Sequence, residues 1–184
     1  MPHPGKRWYH VTIGTYNSWL PGDPRGFRSH DHRIHSSGDH KHPPPAGEHA
    51  GLHAHAKTHS GPTVVLPDVL RSTVCGKLVT SLQSRSHRVL IACVGGMHVH
   101  LLAELPGDAG EAKIAVGVAK KSASQAVTAQ LAGRVWARGC GLKPIRDASH
   151  QHNTFRYIER HAEEGAAVWT FRSEQGNGED EAGG

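Results

Sequence analysis

Apolar and polar positions follow regular periods in several segments of the chain, and these periods predict its secondary structure. Trp8 to Tyr16 is rich in β-branched and aromatic residues and is followed by a Pro-Gly turn, which predicts a first strand. A repeat of large apolar residues every four positions predicts a helix, and its members are Leu70, Val74, Leu78 and Leu82. The apolar run from Val89 to Val94 predicts a central strand that ends at a Gly-Gly turn.

The segment from Met97 to Leu105 is the most informative part of the chain. Its odd positions are all apolar, whereas its even positions include His98, His100 and Glu104. Successive side chains of a strand point to opposite faces of the sheet. We therefore expect one face of this strand to pack in the core and the other to carry chemistry.

The second half of the chain predicts two further helices with an irregular strand between them. Ala109 to about Leu131 is rich in good helix formers, and residues 135–145 contain two glycines and a proline. Phe155 to Gly165 predicts a helix with N-cap residues at 152–154 and a terminal glycine. This order of elements is typical of an α+β fold, a ferredoxin-like antiparallel sheet with helices on one face, here with a C-terminal helix that carries Tyr157.

Two segments do not fit the pattern of a packed domain. Residues 25–62 are dominated by His, Gly, Pro, Ser and charged residues, and nine of the 17 histidines lie between His30 and His59. We expect an insertion within one domain of residues 1–172, serving as a spacer, as a loop that contacts DNA, or as a binder of transition metals through pairs such as His40 with His42 or His53 with His55. Residues 173–184 are acidic and Gly-rich, which predicts a disordered tail.

The composition narrows the class of partner and the compartment. The chain has 21 Lys and Arg against 16 Asp and Glu, a formal net charge of +5, which favours a polyanion and nucleic acid first. Its three cysteines include no C-x-x-C pair, so neither a disulfide framework nor a zinc knuckle is indicated. No segment reaches the roughly 18 apolar residues of a membrane span, and the N-terminus lacks a signal-peptide core. We expect a cytoplasmic protein without a membrane partner.

Four residues form the candidate site. His98 and His100 lie two positions apart on a predicted strand, so both imidazoles project from one face at the spacing that two ligands of one metal ion require. Tyr157 and His161 lie four positions apart on a predicted helix, so one helix face can deliver a nucleophile and a third ligand. The same residues also fit an exposed sheet face and a solvated helix face in a protein without catalysis.

The motifs around these residues resemble those of a known family. Val94 to Leu102 (VGGMHVHLL) resembles the histidine-hydrophobic-histidine strand of the HUH single-strand transposases, which include the tyrosine transposases associated with repetitive extragenic palindromes. Phe155 to His161 (FRYIERH) resembles their tyrosine helix, and Val135 to Gly139 is similar to the Trp-Ser-x-Gly stretch that precedes it. Trp8 to Thr12 sits where their first strand begins. The resemblance covers residues 7–20 and 64–171.

The resemblance implies a function and a set of roles. His98 and His100 would bind a divalent metal, Mg²⁺ or Mn²⁺, and Tyr157 would attack a phosphodiester to form a 5′-phosphotyrosine. His161 stands where the family commonly has Gln as third ligand, and three nitrogen donors shift the preference toward Mn²⁺ or a softer ion. Met97 stands where the family usually has Asn or Asp. The implied substrate is single-stranded or hairpin DNA, and the implied assembly is a homodimer whose tyrosine acts in cis or in trans.

Further residues are candidates for contact with DNA. We expect phosphate contacts from Lys120, Lys121, Arg85 and Arg88 and base stacking from Trp8, Tyr16 or Trp136. Two other functions are compatible with the sequence. One is a catalytically inactive, ferredoxin-like nucleic-acid-binding module, and the other is a metal-binding protein that acts through its His-rich segment.

Overall fold

The computed structural model describes residues 1–27, 34–37, 42 and 44–171. The elements, in chain order, are β1 (Lys6–Gly14), α1 (Ala50–His59), α2 (Asp68–Gln83), β2 (Val89–Val94), β3 (His98–Pro106), α3 (Ala109–Ala126), β4 (Gly141–Pro144), α4 (Ala148–Arg160), a 3-10 turn (His161–Glu164) and β5 (Ala167–Thr170). None of the described helices is both long and apolar enough to cross a membrane.

The five strands form one antiparallel sheet in the order β4-β1-β3-β2-β5. The central pair runs from Lys6 opposite Pro106 to Gly14 opposite His98. Without α1, the elements from β1 to β4 follow the βαββαβ order of a ferredoxin-like fold, and β5 extends the sheet beside β2. The predicted α+β fold class is confirmed.

Each face of the sheet is covered by different helices. The main core lies between the sheet and the pair α2 and α3, where the odd positions of β3 are buried. A smaller core on the opposite face joins Leu102 of β3 to Ile158 of α4. The predicted division of β3 therefore holds, and α4 lies over the face that also carries His98 and His100.

The last helix begins earlier than the sequence pattern indicated. Asp147 is its N-cap and accepts a hydrogen bond from the backbone N–H of His150 at 2.7 Å, whereas residues 152–154 lie inside the helix. Thr154 and Ile158 are its buried positions, one turn apart. The predicted terminal glycine is confirmed, since Gly165 has a φ of 76°. β5 was not predicted, because a strand of four residues has too little pattern to identify.

The described part of the insertion contains regular structure that the sequence did not predict. α1 forms there, although Ala56 is its one buried residue. His53 and His55, expected as a metal pair, are two apart on this helix and so point in different directions. His55 instead stacks on His59, with ring centroids 4.1 Å apart. His40 and the tail at 173–184 lie outside the described residues.

Candidate active site

Three histidines from two elements meet at the start of β3. His98 and His100 project from β3, and His161 opens the 3-10 turn that follows α4. One nitrogen of each imidazole can be chosen so that all three lie within 4.8 Å of one another. The packing of Ile158 against the sheet brings the end of α4 to the two strand histidines. In the described chain, this is where three metal-ligating side chains converge.

Tyr157 lies beside the three histidines of its own chain. Its ring centroid is 5.4 Å from that of His100 and 5.0 Å from that of His161, in both cases edge to face. The side chain is 40% exposed, so the phenol is open to a ligand from solvent. All four predicted site residues are thus brought together within one chain.

The hydrogen bonding of His161 leaves one ring nitrogen without a partner. Its Nδ1 lies 3.0 Å from Glu164 Oε2, so the carboxylate places the proton on Nδ1. Its Nε2 is buried and has no hydrogen-bond partner among the described residues. A buried polar atom without a partner costs free energy, and a bound ion would remove that cost. The donor set and its orphan nitrogen therefore fit a metal ion.

His10 is a member of the site that the sequence analysis missed. Its Nε2 lies 3.0 Å from His100 Nδ1, and its ring centroid is 5.8 Å from that of Tyr157. This contact leaves Nε2 of His100 for a metal and fixes the orientation of the ring. The available signal was the alternation of β1, which puts His10 and Thr12 on one face. It becomes informative only once β1 is known to pair with β3.

Burial keeps the imidazoles of His10, His98 and His100 neutral. Desolvation, aided by neighbouring His10, lowers the pKa of His100 to about 3, and desolvation with nearby Lys143 lowers that of His10 to about 4. Burial also lowers the pKa of His98. Neutral imidazole is the form that binds metal. Burial likewise raises the pKa of the Tyr157 phenol above its usual value, so the hydroxyl is protonated at neutral pH.

A cleft of about 1150 Å³ opens from the histidines and Tyr157. Three cationic side chains line it, namely Arg25, Lys113 and Arg138, and the described lining contains no Asp or Glu. Trp19 also lines the cleft and is 55% exposed. These four residues could not be identified from the sequence, since isolated cations and a tryptophan beside an insertion have no distinguishing pattern.

The four cations predicted to contact DNA lie elsewhere. Lys120 is buried, and its ammonium donates to the carbonyls of Ala137 at 2.8 Å and Gly139 at 2.5 Å. That environment argues against its predicted phosphate contact, because the ammonium is already engaged by carbonyl oxygens. Arg85 donates to Ser81 O, Arg88 binds Glu104, and Lys121 is exposed on α3. None of the four lines the cleft.

The predicted stacking residues differ in their accessibility. Trp8 and Trp136 are buried, so neither ring is open to a nucleotide base. Tyr16 is half-buried and lies under the guanidinium of Arg134, 4.8 Å from the ring centroid. Trp19 is the exposed tryptophan of the described chain.

Comparison with known proteins gave one structural likeness. No family model matches the chain, and no curated protein matches it. A solved structure of a REP-associated tyrosine transposase bound to a REP hairpin is similar over 89% of this chain and 70% of that one, with 13% sequence identity and a TM-score of 0.47. The function is therefore inferred from the geometry of the site.

Proposed function

We propose that the protein is a metal-dependent single-strand DNA nuclease and strand transferase of the tyrosine transposase type. One observation carries the proposal. The ligand atoms of His98, His100 and His161 lie within 4.8 Å of one another, and the Tyr157 ring lies 5.4 Å from His100 in the same chain. A nucleophile next to a ready metal site is the arrangement that phosphodiester cleavage requires.

The three histidines would hold a divalent metal, Mg²⁺ or Mn²⁺, with the nitrogen donors favouring Mn²⁺. Bound there, the metal would offset the charge that develops on the phosphate oxygens. His10 and Glu164 would act as positioning residues, because they engage Nδ1 of His100 and of His161 and leave each Nε2 free.

The proposed chemistry is a transesterification. The Tyr157 oxygen attacks phosphorus, the bond from phosphorus to the 3′-oxygen breaks, and the 3′-hydroxyl leaves with a proton while the phenol proton passes to solvent. The product is a 5′-phosphotyrosine, which the 3′-hydroxyl of another strand can attack to rejoin DNA without ATP. Since the pKa of Tyr157 is raised by burial, removal of the phenol proton has to accompany the attack.

Tyr157 lies beside the histidines of its own chain, and this proximity supports action of Tyr157 in cis. A homodimer and a cytoplasmic location remain part of the proposal, and gel filtration combined with light scattering would test the first.

The test is covalent adduct formation. A labelled single-stranded hairpin oligonucleotide, incubated with the protein and Mn²⁺, should give a protein-DNA adduct that survives a denaturing gel. Tyr157→Phe should abolish the adduct, whereas the matched control Tyr16→Phe, which keeps the ring beneath Arg134, should form it.

The two alternatives give different results. An inactive binding module would bind oligonucleotides yet form no adduct on any of a varied set. A His-rich metal-binding protein would lose metal uptake when residues 25–62 are removed and keep it in His98→Ala.

A further inference from the structure

The turn that leads into the insertion lines the cleft. Trp19 and Arg25 line the same cavity as His98, His100 and Tyr157, although both precede the main His-rich segment. The indole is 55% exposed, which is unusual for a tryptophan in a described part of the chain where Trp8 and Trp136 are buried. A large exposed ring beside a catalytic site is a surface for a flat ligand.

This turn is held rigidly by its own contacts. The Trp19 Nε1 donates to the carbonyl of Gly26 at 2.6 Å, and the Arg25 guanidinium lies 4.2 Å from the Trp19 ring centroid. Arg25 in turn donates to both carboxylate oxygens of Asp23, which is 5% exposed, and to the carbonyl of Ser18. The indole is therefore preorganised, so binding a ligand against it requires little additional ordering.

Two other walls of the cleft contribute positive charge. Lys113 lies in α3, and Arg138 precedes β4. Neither forms an ion pair with a described carboxylate, and no acidic residue is in the described lining. Two uncompensated cations and no carboxylate favour a polyanion.

Three of the residues that line the cleft are glycines. Gly14, Gly139 and Gly141 line it, so no side chain rises from these positions. Gly139 has a φ of 73°, which favours glycine, and a Cβ at Gly141 would collide with the Thr12 hydroxyl. At about 1150 Å³ the cleft also exceeds the roughly 300–1,000 Å³ of pockets for small molecules. The dimensions suit a polymer chain.

We infer that Trp19 stacks on a base of the single strand that enters the active site, while Lys113 and Arg138 bind phosphates of the same strand. The assignment of DNA as the ligand rests on the proposed function. A single strand is selected because its bases expose their faces, whereas those of a duplex are stacked on one another. The turn that leads into the insertion thereby helps to hold the substrate.

The test is a binding titration without chemistry. Fluorescein-labelled oligo(dT) is titrated with full-length protein in EDTA, so that no metal-dependent step occurs, and anisotropy gives Kd. Trp19→Ala should weaken binding by about tenfold, and Trp19→Phe by much less, because stacking on an aromatic ring accounts for the effect. Lys113→Ala and Arg138→Ala should each reduce the slope of log K against log salt by about 0.7. Lys77→Ala, an exposed lysine of α2 outside the cleft, should change neither.

A second measurement starts from the wild-type protein and uses its intrinsic fluorescence. Binding of oligo(dT) should quench the intrinsic fluorescence of the wild type, which has four tryptophans, and Trp19→Phe should lose most of that quenching.

A Trp19→Ala protein that binds oligo(dT) as tightly as the wild type, or a wild type that prefers duplex DNA, would overturn the inference. If adducts form while Trp19→Ala has no effect, the inference fails and the proposed function stands. If Trp19 is needed for binding but no adduct forms, the inference about Trp19 stands and the proposed function fails.

Discussion

Strand β3 carries a polar cluster at each end of the same face. The two clusters differ in whether their polar atoms all have hydrogen-bond partners. His98 and His100 lie at its start, and Glu104 lies six residues after His98, roughly 20 Å along the strand. Glu104 is fully buried and accepts hydrogen bonds from Arg88 Nε at 2.8 Å, from Arg88 Nη2 at 2.7 Å and from His3. Every oxygen of this carboxylate has a partner.

The histidine end leaves a donor atom without a partner. Nε2 of His161 is buried and has no hydrogen-bond partner among the described residues. The side-chain hydrogen bond from Arg88 lowers the pKa of Glu104 to about 2, so that end keeps its charge. At the other end, burial keeps His100 neutral. A satisfied cluster stabilises a fold, and an unsatisfied cluster is ready for a ligand.

An orphan atom alone does not identify a site. Nδ1 of His87 is also buried without a hydrogen-bond partner in the described chain. No group of three metal-ligating side chains surrounds it there, whereas His98 and His100 converge with His161. A metal site is therefore indicated only where a nitrogen without a hydrogen-bond partner lies among converging metal-ligating side chains.

The largest expected effect is on metal binding at the histidine end. His161→Ala removes the buried donor and should weaken Mn²⁺ binding by at least about a hundredfold, since even outer residues of metal sites change affinity by 10- to 100-fold. Isothermal titration calorimetry measures the change. The control His59→Ala removes a histidine of α1 that lies outside the cluster and should bind Mn²⁺ as the wild type does. Equal affinities in the two variants would contradict the contrast between the two ends.

The next effect is on stability at the carboxylate end. Glu104→Gln removes the charge that Arg88 and His3 engage, and should lower the free energy of unfolding by about 2 kcal/mol. Urea unfolding measures it, with the exposed Glu163→Gln as a control that should change stability little. Mn²⁺ affinity should stay at the wild-type value, and a drop in that affinity would show that the two ends are not independent.

A smaller effect is expected for the neighbour of His100. His10→Phe removes the partner of His100 Nδ1 and should weaken Mn²⁺ binding by about tenfold. His10→Gln, whose amide oxygen can accept the same hydrogen bond, should recover part of the loss. If His10→Phe binds Mn²⁺ with unchanged affinity, His10 has no positioning role.

The smallest effect is a pH dependence of stability. The folded pKa values of His10 and His100, about 4 and about 3, lie below the usual histidine pKa of 6.5, so the unfolded chain binds more protons between these limits. The metal-free protein should be most stable above pH 6.5, and its Tm should fall as the pH falls to 5. The variant with both His10→Phe and His100→Phe should show a smaller fall in Tm over the same pH range. A wild-type Tm that rises on acidification between pH 7 and 5 would have the wrong sign.

The sequence predicted the elements with strong periodicity and the residues with paired spacing. β3 and α2 follow from their apolar repeats, and Tyr157 with His161 follows from the helical spacing. His10 could not be identified, because its role depends on the pairing of β1 with β3, which is a long-range contact. The burial of Lys120 against backbone carbonyls could not be deduced either, because the charge pattern of a helix does not show which lysine is buried. Contacts between residues far apart in the chain become known only from the structure.

The most direct test of the account is to locate the covalent bond between protein and DNA. The protein is incubated with a single-stranded hairpin oligonucleotide and Mn²⁺, the adduct is digested with trypsin and nuclease, and mass spectrometry identifies the modified peptide. We predict a 5′-nucleotide on Tyr157, within a peptide that contains residues 157–160, and its absence when His161 is replaced by Ala. A nucleotide attached to Tyr9 or Tyr16, or an adduct on Tyr157 that forms equally well in His161→Ala, would contradict the claim that the histidines and Tyr157 act on one phosphodiester.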